Sequence, residues 1–343
     1  MYTDLGAVHE YEKHYDDSLS FAGFSRLSLS MQGGIRESGK VEGSIDIMSL
    51  YGLYAGNFNR NSSATLFKVN SVPLTVQLRT LYLSLYLPFA DIRIGRQIVN
   101  FGKGKILSPL DVFSTIDLAD ITFRRSGTDL VSLSFPIGQL SGIDVLAQIP
   151  LEKQTTIALK SYTSINNVDV SAITMFRTAS DEIIAGLGYK GDLIAGFYGE
   201  LVGHFYPRAK GRNTSVNVML GADYSFNHSL ILSLEYQYNT PSITFEKSSM
   251  SSPEKLFTPF TRKQYLYFDT RYIVNDLNTI GGYVLCNIQD RALLGTILYT
   301  CNILQNTNLT IYIQGVRGDL YGAGAKTFAT ASFHYGTALE MKF

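Results

Sequence analysis

The sequence has no tryptophan, two cysteines, nine prolines and five histidines, and only 17 % of its 343 residues are charged. Each scarcity removes a class of protein. Acidic and basic residues balance to a formal net charge of zero, so the basic footprint of a nucleic-acid binder is missing. Mean hydropathy is +0.05, and no run approaches the ~20 apolar residues a spanning helix needs, which excludes a helical membrane protein. A membrane barrel survives this test, because strand residues facing a polar lumen dilute the hydropathy. Cys286 and Cys301 fall on neighbouring strands in registers that do not oppose, so they read as two small apolar residues and not as a disulfide. Met1-Tyr2-Thr3-Asp4 has neither a basic n-region nor an apolar h-region, as expected of a mature form with an added Met and its signal peptide removed.

What the chain does contain is 22 Tyr, 20 Phe and 30 Gly. Aromatic and β-branched residues suit a pleated, half-buried surface. Alternation of period 2 recurs along the chain. In Leu230–Asn239, for example, Leu230, Leu232, Leu234, Tyr236 and Tyr238 form one face against Ser233, Glu235, Gln237 and Asn239. The apolar phase of Val72–Leu87 flips near Arg79-Thr80, which predicts a bulge. The connections alternate in length. Short ones such as Pro88–Asp91, Gly138–Ser141 and Asn227–Ser229 interleave with long ones such as Ala55–Ser71, Asn100–Thr128 and Thr240–Arg262. Sorting of loops by parity predicts an all-β, antiparallel, up-and-down transmembrane barrel with short periplasmic turns and long extracellular loops.

Seventeen strands are clear in the sequence, and single-chain bacterial barrels close with an even number. Eighteen requires a further strand from the N-terminal segment 1–17, with Leu5–Tyr15 the candidate; sixteen would follow if Ser18–Met31 lay outside the wall. Eighteen is the count adopted. Residues 18–343 then form a single barrel, with 100–128 as a long insert within it. Aromatics such as Phe205, Tyr224, Phe226, Tyr236, Tyr238 and Tyr272 gather at strand ends, with smaller aliphatics mid-strand, as in an interfacial girdle. The closing run Phe333, Tyr335, Leu339, Met341 and Phe343 resembles the C-terminal signal read by the barrel-assembly machinery of bacterial outer membranes.

The stretch Ile94–Asp120 abandons strand patterning. Its Gly95-Arg96-Gln97 strand runs into Phe101-Gly102 and then Ser108-Pro109-Leu110-Asp111. This pattern resembles the strand-and-loop signature of alginate-export-type and related porin-like outer-membrane proteins, where the aromatic is often Trp. The resemblance implies a solute-conducting barrel of about 18 strands in the outer membrane, without implying alginate as the solute. Gly102-Lys103-Gly104-Lys105 is not a phosphate loop, since neither Lys precedes Ser or Thr. His9 and His14 are five apart, which separates them on a helix, so they do not form a zinc motif. Asp111, Asp117 and Asp120 lack the spacing of a calcium loop and read as caps and turns. No metal or cofactor is implied.

Placing the polar phase inward gives a lumen lined by basic Arg79, Arg93, Lys160, Arg177, Lys190, Arg271 and Lys342 and by acidic Asp91, Asp144, Glu182, Glu200, Asp223, Glu235, Asp269 and Glu340. The signs are mixed, unlike a ring that selects one ion type. The expected function is passive diffusion of ions and small hydrophilic solutes through an outer-membrane porin. The insert would narrow or cover the opening, with Arg96, Lys103, Lys105, Arg124 and Arg125 facing Asp111, Asp117 and Asp120 across it. The other reading is a surface binding or adhesion barrel with a plugged lumen, working through its outer loops. No catalytic set is visible, because His204 and His334 pair with no Ser by pattern, so an enzyme is not expected. The partners are then membrane lipids, the assembly machinery and the solutes, with no nucleic acid. Oligomeric state is left open, a monomer being favoured.

Overall fold

The computed structural model describes residues 2–13, 19–35, 38–52, 66–69, 72–114, 125, 127–149, 155–178, 180–207, 214–240, 260, 262–318 and 332–342. The strands before the insert are β1 (Tyr2–Lys13), β2 (Leu19–Ile35), β3 (Gly39–Gly52), β4 (Leu66–Val69), β5 (Val72–Tyr86) and β6 (Asp91–Gln97). After it come β7 (Thr128–Pro136), β8 (Gly142–Gln148), β9 (Thr156–Ile165), β10 (Val168–Arg177), β11 (Glu182–Asp192) and β12 (Gly196–Phe205). The chain continues through β13 (Ser215–Phe226), β14 (Leu230–Asn239), β15 (Gln264–Asn275), β16 (Asn278–Asn287), β17 (Ala292–Leu304), β18 (Thr307–Arg317) and β19 (Ser332–Lys342).

All pairings are antiparallel between chain neighbours, and β1 closes the ring against β19, from Asp4↔Lys342 to Lys13↔Phe333. β4 pairs only with β5 and stands outside the ring, which leaves eighteen wall strands. The N-terminal segment supplies the eighteenth strand that an even count requires: β1 pairs on both edges, and its place is fixed by ring closure more than by its own periodicity. One detail differs from the sequence expectation. The Asn/Ser-rich connection at 55–71 contains β4.

Alternation of direction sorts the connections onto two ends. One end carries 36–38, 87–90, 137–141, 166–167, 193–195, 227–229, 276–277 and 305–306, each of five residues or fewer. The other end carries the insert and the remaining connections. Several of the tight turns place non-glycine residues in the left-handed region, at Asn166, Asn167, Asn227, His228 and Asn306. Asparagine tolerates that backbone, and two successive left-handed residues match the twist of a hairpin.

The two faces of the ring are chemically distinct. Leu201, Leu220, Leu234, Ile297 and Ile313 are exposed on the outer face, while their chain neighbours Glu200, Met219, Glu235, Thr296 and Gln314 are buried on the inner one. Cys286 and Cys301 share the outer phase with Val284 and Tyr299, and both are free thiols. Where Val72–Leu87 changes phase, Ser44 faces Thr80 and Ile45 faces Leu78, so Arg79 is the extra residue of a bulge. Without that extra residue, one half of β5 would point its apolar side chains inward.

Candidate functional site

The site is the inside of the barrel at the end of the long connections, where the insert lies. Gly95 starts it. Its φ is +123°, and a Cβ there would sit 2.2 Å from the Leu81 carbonyl oxygen, so glycine is required two residues before β6 ends. The segment then turns inward. Phe101, Ile106, Leu107, Leu110, Val112 and Phe113 are all buried, with Leu107 and Leu110 fully so.

What buries them is a belt of apolar side chains on the inner face. Leu130, Leu146, Ala158, Ile173, Met175, Ile184 and Val202 pack with Phe101, Leu110, Val112 and Phe113. Met219, Tyr265, Tyr267, Tyr283, Leu285, Leu294 and Val316 form a second cluster with Ile106, Leu107 and Tyr198. Each belt residue lies within five positions of the long-connection end of its strand, from β7 round to β18. An apolar inner face is unusual for a water-filled barrel, and here it is matched residue for residue to the insert. Burial of each large insert side chain is worth about 1.5–3 kcal/mol.

Two inward glutamates fix the backbone. The amides of Lys103 and Gly104 donate to Glu200 Oε1, at 2.5 and 3.0 Å, and the Leu110 amide donates to Oε2 at 3.0 Å. The Ser108 hydroxyl is 3.0 Å from both carboxylate oxygens. Glu235 takes the Lys105 amide on Oε1, and the Ile106 and Leu107 amides on Oε2 at 3.2 and 2.9 Å. The Tyr198 hydroxyl completes it at 3.0 Å. Successive backbone N–H groups turned toward one anion form a concave nest. The Gly-Lys-Gly-Lys run builds such a nest, and its anions are the protein's own carboxylates. Close approach requires the glycines: a Cβ at Gly102 would lie 1.7 Å from Ser108 Oγ, and one at Gly104 would lie 2.0 Å from the Leu107 carbonyl oxygen.

Asp111 ties the insert to itself, accepting the Phe101 and Gly102 amides at 3.1 Å each and pairing with Arg125. Ser114 Oγ donates to the Val99 carbonyl at 2.8 Å, and Thr128 Oγ1 to the Phe113 carbonyl. The turn reading of Asp111 therefore holds.

The described charges of the insert pair locally or with the wall. Asp111 and Arg125 neutralise each other, and Lys105 Nζ reaches across to Asp269 on β15 at 2.8 Å. Arg96 is not in the opening. Its register places it in phase with outward Ile94 and Leu81, paired with Asp129 and donating to the Leu78 carbonyl at 3.2 Å. Asp117, Asp120, Arg124 and Phe343 lie outside the described residues.

The charged residues assigned to the lumen on β6 and β8 to β15 fall in the inward phase. Asp144 opposes Lys160, Asp169 opposes Lys190, and Arg177 binds Glu182 at 3.1 Å. Lys160 Nζ also sits 5.2 Å from the centre of the Phe101 ring, a cation–π contact between wall and insert. Asp91 and Arg93 face Ser134 and Ser132 across β6 and β7, in line with Asp144. Asp223 and Asp269 flank Ser233 on the inner face of β13 to β15, and Arg271 follows two positions on. Arg79 is in the bulge beside a cavity of about 240 Å³ lined also by Ser30, Gln32, Glu42, Ser44 and Thr80. Of the histidines, His204 Nδ1 lies 2.8 Å from Glu182 and its Nε2 lies 3.3 Å from Asn217 Nδ2. That arrangement holds the imidazole in a structural network and pairs it with no nucleophile.

Sequence reasoning missed the apolar belt and the anchoring role of Glu200 and Glu235. The available signal was the run of alternate glycines, which exposes consecutive amides, together with two inward glutamates.

The ring and its inward segment define a closed eighteen-stranded barrel with a loop folded against its inner wall, a fold found among solved structures. It is similar to OpdK of Pseudomonas aeruginosa, solved with vanillate, at a TM-score of 0.61 and 10 % identity, covering 100 % of this chain and 98 % of that one. It is equally similar to OccAB3 of Acinetobacter baumannii, at a TM-score of 0.61 and 8 % identity over 100 % and 99 % of the two chains. Salmonella typhi OmpF, solved with daunomycin, matches at a TM-score of 0.55 and 10 % identity over 99 % and 97 %. No family model matches the chain and no curated protein matches it in sequence. The likeness is one of fold.

Proposed function

We propose that this chain is a bacterial outer-membrane porin that lets ions and small hydrophilic solutes diffuse passively, with the insert as its constriction. The observation that carries the reading is the packing of residues 101–113 of the insert inside a closed eighteen-stranded ring, against the arc of the wall from β7 to β18. Inward-phase Gln32, Gln77, Arg93, Asp169, Lys190 and Arg271 are exposed, so polar surface of both signs borders the space that is left. Mixed signs give weak ion selectivity. The short-turn end faces the periplasm, and the closing strand with Phe333, Tyr335, Leu339 and Met341, ending in Phe343, is the segment offered to the assembly machinery.

Planar-bilayer recording tests this. The refolded protein is expected to give discrete conductance steps, and deletion of Lys103–Asp117 is expected to enlarge them. Silence from both proteins would sink the channel reading in favour of a plugged binding barrel. The outward cysteines provide a second check. In vesicles, Cys286 and Cys301 should react with a membrane-permeant lipophilic maleimide and resist a charged, water-soluble one. Rapid labelling by the charged reagent would contradict the assignment of faces.

A further inference from the structure

Beside the polar turn residues Asn166, Asn167, Asn227, His228 and Asn306, the short-turn end carries a ring of exposed apolar side chains. Phe89, Leu140, Ile165, Ile194, Leu277 and Leu304 stand at or beside six of the eight short turns, and all are exposed, Ile194 at 90 %. They lie beyond the outward Tyr224, Tyr272 and Tyr299, which sit within five residues of their strand ends. Tyrosine at that position marks headgroup level in a membrane barrel. A barrel seated with those rings at the boundary would hold the six apolar side chains in water.

We infer that the barrel sits deeper, with its short-turn rim sunk in the membrane and these side chains inserted at the boundary of the periplasmic leaflet's acyl region. The inference rests on the membrane-barrel reading above and adds the position of the rim. Two observations select lipid as the occupant. The ring continues an existing apolar surface: the outward phase runs through Leu81, Leu83 and Leu85 to Leu87 and on to Phe89, all exposed. It is also spread around the circumference, from the β5–β6 turn to the β17–β18 turn. A protein partner would cover one sector, whereas lipid surrounds the barrel. Apolar side chains held at a membrane boundary are removed from water without any partner chain.

The absence of tryptophan makes the test direct, because an introduced indole is the only one in the chain. Single variants Ile194→Trp and Leu140→Trp, at exposed turn positions, are compared with Leu234→Trp in the middle of the outer belt. Each is placed in phosphatidylcholine vesicles brominated near the carbonyl end or near the methyl end of the acyl chain. Both turn indoles are expected to lose at least half of their emission to the carbonyl-end bromines and to resist aqueous iodide. Quenching by iodide with no effect of bromine, while the Leu234→Trp indole is quenched by the deep bromines, overturns the inference alone. A Leu234→Trp indole insensitive to all bromines overturns the membrane reading beneath it. Two turn variants guard against a substitution that prevents folding.

Discussion

A variant with both Glu200 and Glu235 replaced by alanine is expected to conduct several times more current per channel than the wild type, and to be cut by trypsin within the insert. The two carboxylates accept six backbone amides of the insert. Each buried N–H left without an acceptor costs about 1–3 kcal/mol, although such costs are not additive. Water would enter to solvate the freed amides, and the segment would leave the wall. Lys103 and Lys105 then become accessible to the protease. Either single variant retains half of the anchoring and the whole apolar belt, so its effect should be smaller than half of the double variant's. Glu→Gln keeps an acceptor oxygen but brings an amide donor against backbone donors, and should fall between wild type and alanine. Unchanged conductance and full protease resistance in the double variant would show that apolar packing alone holds the insert.

The second large effect concerns the outer face. Ile297 is the most exposed residue on the outward face of β17, opposite Ile313 on β18, and it lies mid-strand. Ile297→Arg places a guanidinium at mid-depth of the membrane and should cost about 2–4 kcal/mol, read by urea unfolding in vesicles. The complementary change on the inner face removes a charge. Arg271 is exposed toward the lumen, and Arg271→Leu should alter stability by less than about 0.5 kcal/mol, as for a solvated surface position. The ratio between the two separates lipid-facing from water-facing phase. Equal effects would mean that the faces have been exchanged or that the barrel is surrounded by water on both sides.

Most of the wall was legible because a strand with one polar and one apolar face writes that difference into alternate residues. Leu230–Asn239 is such a strand, and its two faces are those the alternation predicts. Turn parity and the bulge at Arg79 were legible for the same reason, since both change the phase of a local pattern. β1 was legible only through the even count that a closed ring requires, because its own alternation is weak and its partner residues on β19 lie more than 300 positions away in the chain. Arg96 was misplaced for a different reason: it was grouped with the charges of the insert, whereas its place two residues after Ile94 puts it on the outward phase of the wall. The anchoring glutamates looked like any inward charge. Only the placement of a segment about 100 residues earlier distinguishes Glu200 from Asp144. Likewise, Ile173 and Met175 lie on the phase that alternation reserves for polar groups, and the reason is a partner remote in sequence.

The hydrogen bonds of a closed sheet join each strand only to its two neighbours, so the ring resists stretching far better than it resists being squeezed into an oval. The insert changes that mechanical character. It leaves the wall between β6 and β7 and is fastened to β12, β14 and β15 by Glu200, Glu235 and Asp269. These attachments make it an internal brace between sectors that the sheet leaves uncoupled. Lateral pressure on one sector is therefore carried to another through the insert, and the cross-section of the mouth keeps its shape.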